Sequence, residues 1–222
     1  MIPRLATISA VFGSFVVAAL TIVGAIATPG YSHVSQFISE LGATGAPHEY
    51  AVRFAGFLPA GVALLVFCLA AYHCLPRSRS VNRGLIGIAL FSFGYVVAVF
   101  FPCDAGCRPS EPSISQLIHN VAAILGYVLA PFTLLTLALS SRHWPGARRM
   151  STIGFVAAGF ATVGLLTLFP ASPFVGLSQR ALETSVLGWV VACGIYIRSA
   201  TLNGELVPHG LFAPVLPIRC DP

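Results

Sequence analysis

The sequence predicts an all-α fold: a polytopic membrane helix bundle of about six transmembrane helices, with a short interfacial helix near 32–42. Three observations predict it. Hydrophobic residues make up 56% of the chain and charged residues 9%, against roughly 25% charged in soluble domains, too few to cover a water-facing surface. The apolar residues gather into six blocks close to the ~20 residues that span a bilayer as a helix. Glycine and proline are frequent, at 21 and 16 residues, a usage that membrane helices tolerate better than soluble ones.

The blocks run over 5–27, 51–75, 84–101, 117–139, 150–169 and 181–202. Only Arg53, His73, His119, Glu183 and Arg198 interrupt them with titratable groups, all near block ends. The first block follows Arg4 and ends in Ala25-Ile26-Ala27, a cleavage-like pattern. Its apolar run exceeds the ~7–15 residues of a signal peptide's core, so a retained helix is expected. Short connections make neighbouring helices antiparallel and give one domain over 1–202. The proline-bearing segment 203–222 reads as an irregular cytoplasmic tail. Pro59 and Pro131 fall inside the second and fourth blocks and are expected to kink them. Gly84, Gly87, Gly154 and Ala158 are small residues suited to close helix packing.

The net charge of +5 comes from twelve arginines and seven acids, with no lysine. A basic balance suits nucleic acid, but these arginines sit in helix-flanking loops, so nucleic acid is excluded as a partner and the membrane accounts for them. Short cytoplasmic loops collect arginine. Arg4, Arg77, Arg79, Arg83, Arg142, Arg148, Arg149 and Arg198 mark one side; Arg53, Arg108 and Arg180 mark the other. This bias predicts a plasma (inner) membrane protein with both termini cytoplasmic, its outer connections being about 28–50, 102–116 and 170–180. Glu40, Glu49, Asp104, Glu111 and Glu183 all fall on the outer side. Insertion rules do not require that clustering, and ionisable groups at a membrane mark function by default.

The outer connections share a plan. The chain's three glutamines, Gln36, Gln116 and Gln179, each follow a serine and precede Glu40, Asn120 or Glu183 by four positions. On a helix, i and i+4 share a face, so each glutamine is expected beside an acid or amide, although polar residues also gather wherever a helix meets water. In the first connection, Val34, Phe37, Ile38 and Leu41 follow amphipathic helical spacing, with Ser32 and Gly42 as the expected cap and stop.

Ile38-Ser39-Glu40-Leu41-Gly42-Ala43-Thr44-Gly45-Ala46-Pro47 resembles the signature of a prokaryotic membrane family catalogued as domain of unknown function 998. Phe101-Pro102-Cys103-Asp104-Ala105-Gly106-Cys107, followed downstream by His119, resembles its second signature, and Gly176-Leu177-Ser178-Gln179-Arg180 with Trp189 its last-helix pattern. The resemblance implies a multi-pass bundle and brings no reaction, substrate or cofactor.

The residues single out an outer constellation. Glu40, Asp104 and His119 are the candidate catalytic groups, and Ser39, His48, Arg180 and Glu183 the candidate substrate-binding ones. Carboxylates buried there are expected to have raised pKa values, because desolvation disfavours the charge, which suits acid–base work. Arg180 is expected to neutralise Glu183 or to bind an anionic head group. The same groups also suit a hydrogen-bond network that pins helices together. His48, Asp104 and His119 offer ligands to zinc, but no metal-binding spacing is present, so no metal is assigned, and no motif specifies a cofactor. Cys103 and Cys107 are in a compartment that permits a disulfide but at a short separation that geometry can forbid. Cys68 and Cys193 read as small apolar residues, Cys74 and Cys220 as free thiols. The expected function is a polar cleft at the outer leaflet that binds or processes a lipid or amphiphilic small molecule. The alternative is a non-enzymatic transporter, immunity protein or assembly partner.

Overall fold

The computed structural model describes residues 1–208. Six helices carry the fold: α1 (Ile2–Ala27), α2 (Glu49–Cys74), α3 (Arg79–Phe100), α4 (Ile114–Ser141), α5 (Arg148–Leu166) and α6 (Val175–Leu202). Each is long and apolar enough to cross a membrane, and no strand occurs among the described residues. The fold is the all-α membrane bundle expected. Even the shortest, at 19 residues, reaches about 28 Å at 1.5 Å per residue, close to a ~30 Å hydrocarbon core.

The helices begin earlier than the apolar blocks, and in α3, α4 and α6 the added residues include polar ones. The Ser78 hydroxyl accepts the Val81 N–H (3.1 Å) and starts α3 at Arg79. Ser113 does the same for Gln116 (3.1 Å) and starts α4 at Ile114. These are ordinary N-caps. Helix α6 starts at Val175, so that Ser178 and Gln179 lie on its first turns rather than in a loop. In α2, the stretch Val52–Phe57 is π-helical and ends two residues before Pro59. Proline lacks the N–H for its i−4 carbonyl and crowds that carbonyl; the wider turn accommodates both.

Each helix packs on its neighbours in sequence, and α1 closes the ring against α6. Lipid gives apolar helices no reason to associate, so close packing of small residues and polar contacts must hold them. A Cβ on Gly84 or Gly87 of α3 would collide with Leu137 or Thr133 of α4, and one on Gly154 of α5 with Ala138 of α4. The packing role read for these glycines is where the structure puts them. Trp189, Phe67, Leu64, Ile88, Leu134, Leu182 and Ile197 fill the interior.

The antiparallel order brings the three long connections, 28–48, 101–113 and 167–174, to one end of the ring with the acids; we call this end the acidic rim. The short helix expected over 32–42 is present but narrower: a 3-10 helix confined to Ile38–Gly42. The residues before it form turns because side chains take the backbone donors that an α-helix would use. Gln36 accepts the Ser32 N–H (2.7 Å) and Glu40 the Phe37 N–H (2.9 Å). Of the expected tail, 203–208 is irregular, with the Glu205 and Leu206 N–H groups both donating to Ala200 O; 209–222, including Cys220, lies outside the described residues.

Candidate functional site

Each of the three glutamines makes the same pair of bonds. Gln36 Nε2 donates to Glu40 Oε2 (2.8 Å) while its Oε1 takes the Ser32 N–H. Gln116 Nε2 donates to Asn120 Oδ1 (2.7 Å) while its Oε1 takes the Asp104 N–H (2.8 Å). Gln179 Nε2 donates to Glu183 Oε1 (3.1 Å) while its Oε1 takes the Ile38 N–H (2.7 Å). The i, i+4 partner is the one the spacing indicates. The other end of each amide holds loop backbone, so the three clasps fix the rim.

Further bonds join the rim's segments to one another. Thr44 N–H donates to Cys103 O (2.9 Å) and Leu177 N–H to Val34 O (3.1 Å). Arg108 donates to Pro170 O (2.8 Å) and Ser35 O (2.8 Å), pairs with Glu40 (3.4 Å) and lies over the Phe37 ring; it therefore touches all three connections. Cys103 and Cys107 form a disulfide around Gly106, whose φ of 72° suits glycine. Ser39 Oγ lies 3.4 Å from Cys107 Sγ.

Beneath the rim is a cavity of about 290 Å³. Helix α3 contributes Phe91 and Tyr95, α4 contributes His119, Asn120, Ile124 and Tyr127, and α6 contributes Gln179 and Glu183. Phe37, Ile38 and Ser39 form its roof, with Phe57 and Leu168 on the sides. Glu183, only 4% exposed, is its polar centre. It accepts from Tyr95 (2.5 Å), Tyr127 (2.6 Å) and Gln179. Gln179 also donates to the Tyr127 hydroxyl (2.6 Å). His119 Nδ1 lies 3.1 Å from Phe101 O. A carbonyl only accepts, so Nδ1 carries the hydrogen, and Nε2 is the acceptor of the neutral ring.

The structure thus places Ser39, His119 and Glu183 on the lining of one cavity. It does not bring Glu40, Asp104, His48 or Arg180 there. The Glu40 oxygens are held by Phe37, Gln36 and Arg108. Asp104 accepts from the Ser113 N–H (2.9 Å) and hydroxyl (2.7 Å). Those two bonds hold its carboxyl below the usual range, contrary to the raised value expected: the group is solvent-facing, so hydrogen bonding outweighs desolvation. His48 is exposed beside α1 and α2, away from this cavity. Among the described residues, His48, Asp104 and His119 form no cluster.

Arg180 makes its hydrogen bonds to the rim and to Gly176 O and none to Glu183, although its charge lies close enough to act on that carboxyl through space. It donates to Gln36 O (3.1 Å), Gly176 O (2.9 Å) and the Tyr31 hydroxyl (2.7 Å), and Tyr31 in turn donates to Phe37 O (2.9 Å). Burial pushes the Tyr31 phenol up, with Arg180 pulling the other way. Among the described residues the ion pairs are Arg53–Glu49 and Arg108–Glu40. Sequence reasoning did not single out Tyr95, Tyr127, Arg108 or Tyr31. The one available signal for the first two was a phenol well inside an apolar block, where a hydroxyl needs a partner.

A search of curated proteins finds no match to this chain, and neither does a search of solved structures. A family model, described as Protein of unknown function (DUF998), matches residues 11–196. That span takes in all three glutamine clasps and the whole cavity wall, and the chain belongs to this family.

Proposed function

We propose that this chain is an integral protein of the plasma (inner) membrane, with both termini cytoplasmic and the acidic rim outward, and that its cavity binds a lipid or amphiphilic small molecule at the outer leaflet. The observation that carries this reading is the division of the cavity wall. One part is polar, with Glu183, Tyr95, Tyr127, Gln179, His119, Asn120 and Ser39; the rest is apolar, with Phe37, Phe57, Phe91, Ile124 and Leu168. An amphiphile is complementary to both parts. Ile124 lines the cavity and is 59% exposed, which favours a mouth on the lipid-facing side of α4. Two observations support the orientation: the arginine bias and the Cys103–Cys107 disulfide, which suits an oxidising compartment.

Acid–base chemistry in this cavity would run through His119 and Glu183, the imidazole and carboxyl on its wall. Glu40 and Asp104 act as positioning residues that hold the roof and the α4 start. Below Glu183, the hydroxyls of Ser92 and Ser185 donate to carbonyls of their own helices (2.7 and 2.6 Å), which favours a closed pocket over a polar path through the bilayer.

The test is to purify the protein in mild detergent, identify co-purifying amphiphiles by mass spectrometry, and compare lipidomes of cells carrying wild type and Glu183→Gln. A bound amphiphile that is lost or altered in the variant supports the reading. No bound amphiphile together with an unchanged lipidome contradicts it.

A further inference from the structure

We infer that the cavity selects amphiphiles with a cationic amine or ammonium head group. This rests on the binding reading above and names its ligand class.

The charge on the wall is one-sided. Among the described residues, Glu183 is the only acid lining the cavity, and no arginine lines it. The guanidinium groups of Arg108 and Arg180 make their hydrogen bonds elsewhere, Arg108 with Ser35 O, Pro170 O and Glu40, and Arg180 with Gln36 O, Gly176 O and Tyr31; Arg180 Nε is buried without a partner, and the Arg180 charge reaches Glu183 only through space. Among the described residues no ion pair reaches Glu183. Buried carboxylates are ordinarily paired with a cation or metal. Glu183 instead accepts from neutral hydroxyls and an amide, and it faces an open volume.

The aromatic content points the same way. Phe57 lies 6.0 Å from Tyr95, Tyr95 lies 5.8 Å from Phe91, and Phe91 lies 6.1 Å from Tyr127, centroid to centroid. Four linked rings thus line the cavity, two of them bonded to the carboxyl through their hydroxyls. Aromatic faces attract cations, most strongly where water is excluded, and quaternary ammonium groups are held by such cages. A phosphate or carboxylate head group would meet Glu183 with no arginine among the described lining residues to receive it, and like-charge juxtaposition disfavours a partner strongly. The volume of about 290 Å³ is at the low end of ligand pockets, roughly 300–1,000 Å³. It suits a head group and the start of a chain, with the remainder leaving past Ile124.

The experiment is a competition read by native mass spectrometry on the full chain in excess dodecyl maltoside. Trace dodecyltrimethylammonium and trace dodecyl phosphate are offered at equal concentration to wild type, Glu183→Gln and Phe91→Leu. Wild type is expected to retain the ammonium probe at least about tenfold over the phosphate. Glu183→Gln is expected to lose that preference, and Phe91→Leu to lower ammonium binding without raising phosphate binding. Tetramethylammonium chloride added as competitor separates the sources: displacement identifies a free cation as sufficient, and persistence of the dodecyl probe identifies the chain-bearing amphiphile, both with the same head-group chemistry. Equal or tighter retention of dodecyl phosphate by wild type overturns the inference while leaving amphiphile binding intact. An unchanged preference in a folded Glu183→Gln overturns it as well. If neither probe binds, the cavity reading falls together with it. Should Glu183→Gln fail to fold, the wild-type ratio and Phe91→Leu still decide.

Discussion

The side-chain carbonyl of Gln179 accepts the backbone N–H of Ile38 at 2.7 Å, across 141 residues of sequence. The same amide donates to Tyr127 and Glu183. One residue therefore fastens the cavity's roof to its polar centre.

Replacing it tests that role. Gln179→Leu leaves the Ile38 N–H buried without an acceptor, which costs about 1–3 kcal/mol. Thermal unfolding in detergent measures this. Gln36→Leu, at a half-buried position, is expected to cost less because water can take over its bonds. Equal effects from the two, or none from Gln179→Leu, would count against the clasp.

Gly176→Ala sets two effects against each other. Alanine in a helix is favoured over glycine by ~1 kcal/mol, so an open site would gain stability. Here the added Cβ would lie 2.5 Å from Gln36 O, 2.6 Å from His33 O and 2.9 Å from Val34 O. These are backbone atoms that cannot turn aside, so overpacking wins, with a loss of about 1–3 kcal/mol. Faster hydrogen exchange is expected over 32–38. A stabilised variant with unchanged exchange would show that the loop does not rest on α6.

Much of this was legible in the sequence, for identifiable reasons. The six spans follow from block length alone, and the glutamine partners from four-residue spacing, since both are local properties. The cavity is not local. Tyr95 and Tyr127 meet Glu183 only because the ring of helices brings α3, α4 and α6 to a common centre, and no periodicity in one helix tells which neighbours its phenol will face. Glu40 and Asp104 were legible as notable acids but not as loop-holding ones. Besides Gln36, what occupies their oxygens is the backbone of Phe37 and Ser113, the Ser113 hydroxyl and the Arg108 side chain, fixed only once the turns have formed.

The Asp104 clasp has a pH signature. Its folded pKa is depressed by the Ser113 bonds, so its contribution to stability is fully present above the ordinary aspartate value of about 3.9 and is lost as pH falls through the lower folded value. The difference in thermal stability between wild type and Asp104→Asn should therefore be visible at pH 6 and shrink as pH falls below about 4. A gap that stays constant with pH would mean that the charge plays no part.

Orientation can be read with one cysteine. Ser110 is exposed on the acidic rim, and among the described residues the free cysteines Cys68, Cys74 and Cys193 are buried, so Cys220→Ser is the background on which labelling is read. A membrane-impermeant maleimide should label Ser110→Cys in intact cells. Labelling only after the cells are opened would invert the topology.

The cavity itself is tested most directly by filling it. Gly94 of α3 lines it, and a Cβ there meets only Ala122 O, at 3.8 Å, so a larger side chain enters the open volume rather than the packed core. Native mass spectrometry of wild type and Gly94→Phe, each confirmed as folded by thermal unfolding, measures amphiphile occupancy. Bound amphiphile on wild type and its loss from Gly94→Phe is the predicted result; equal occupancy of the two folded proteins would contradict the assignment of this cavity as the binding site.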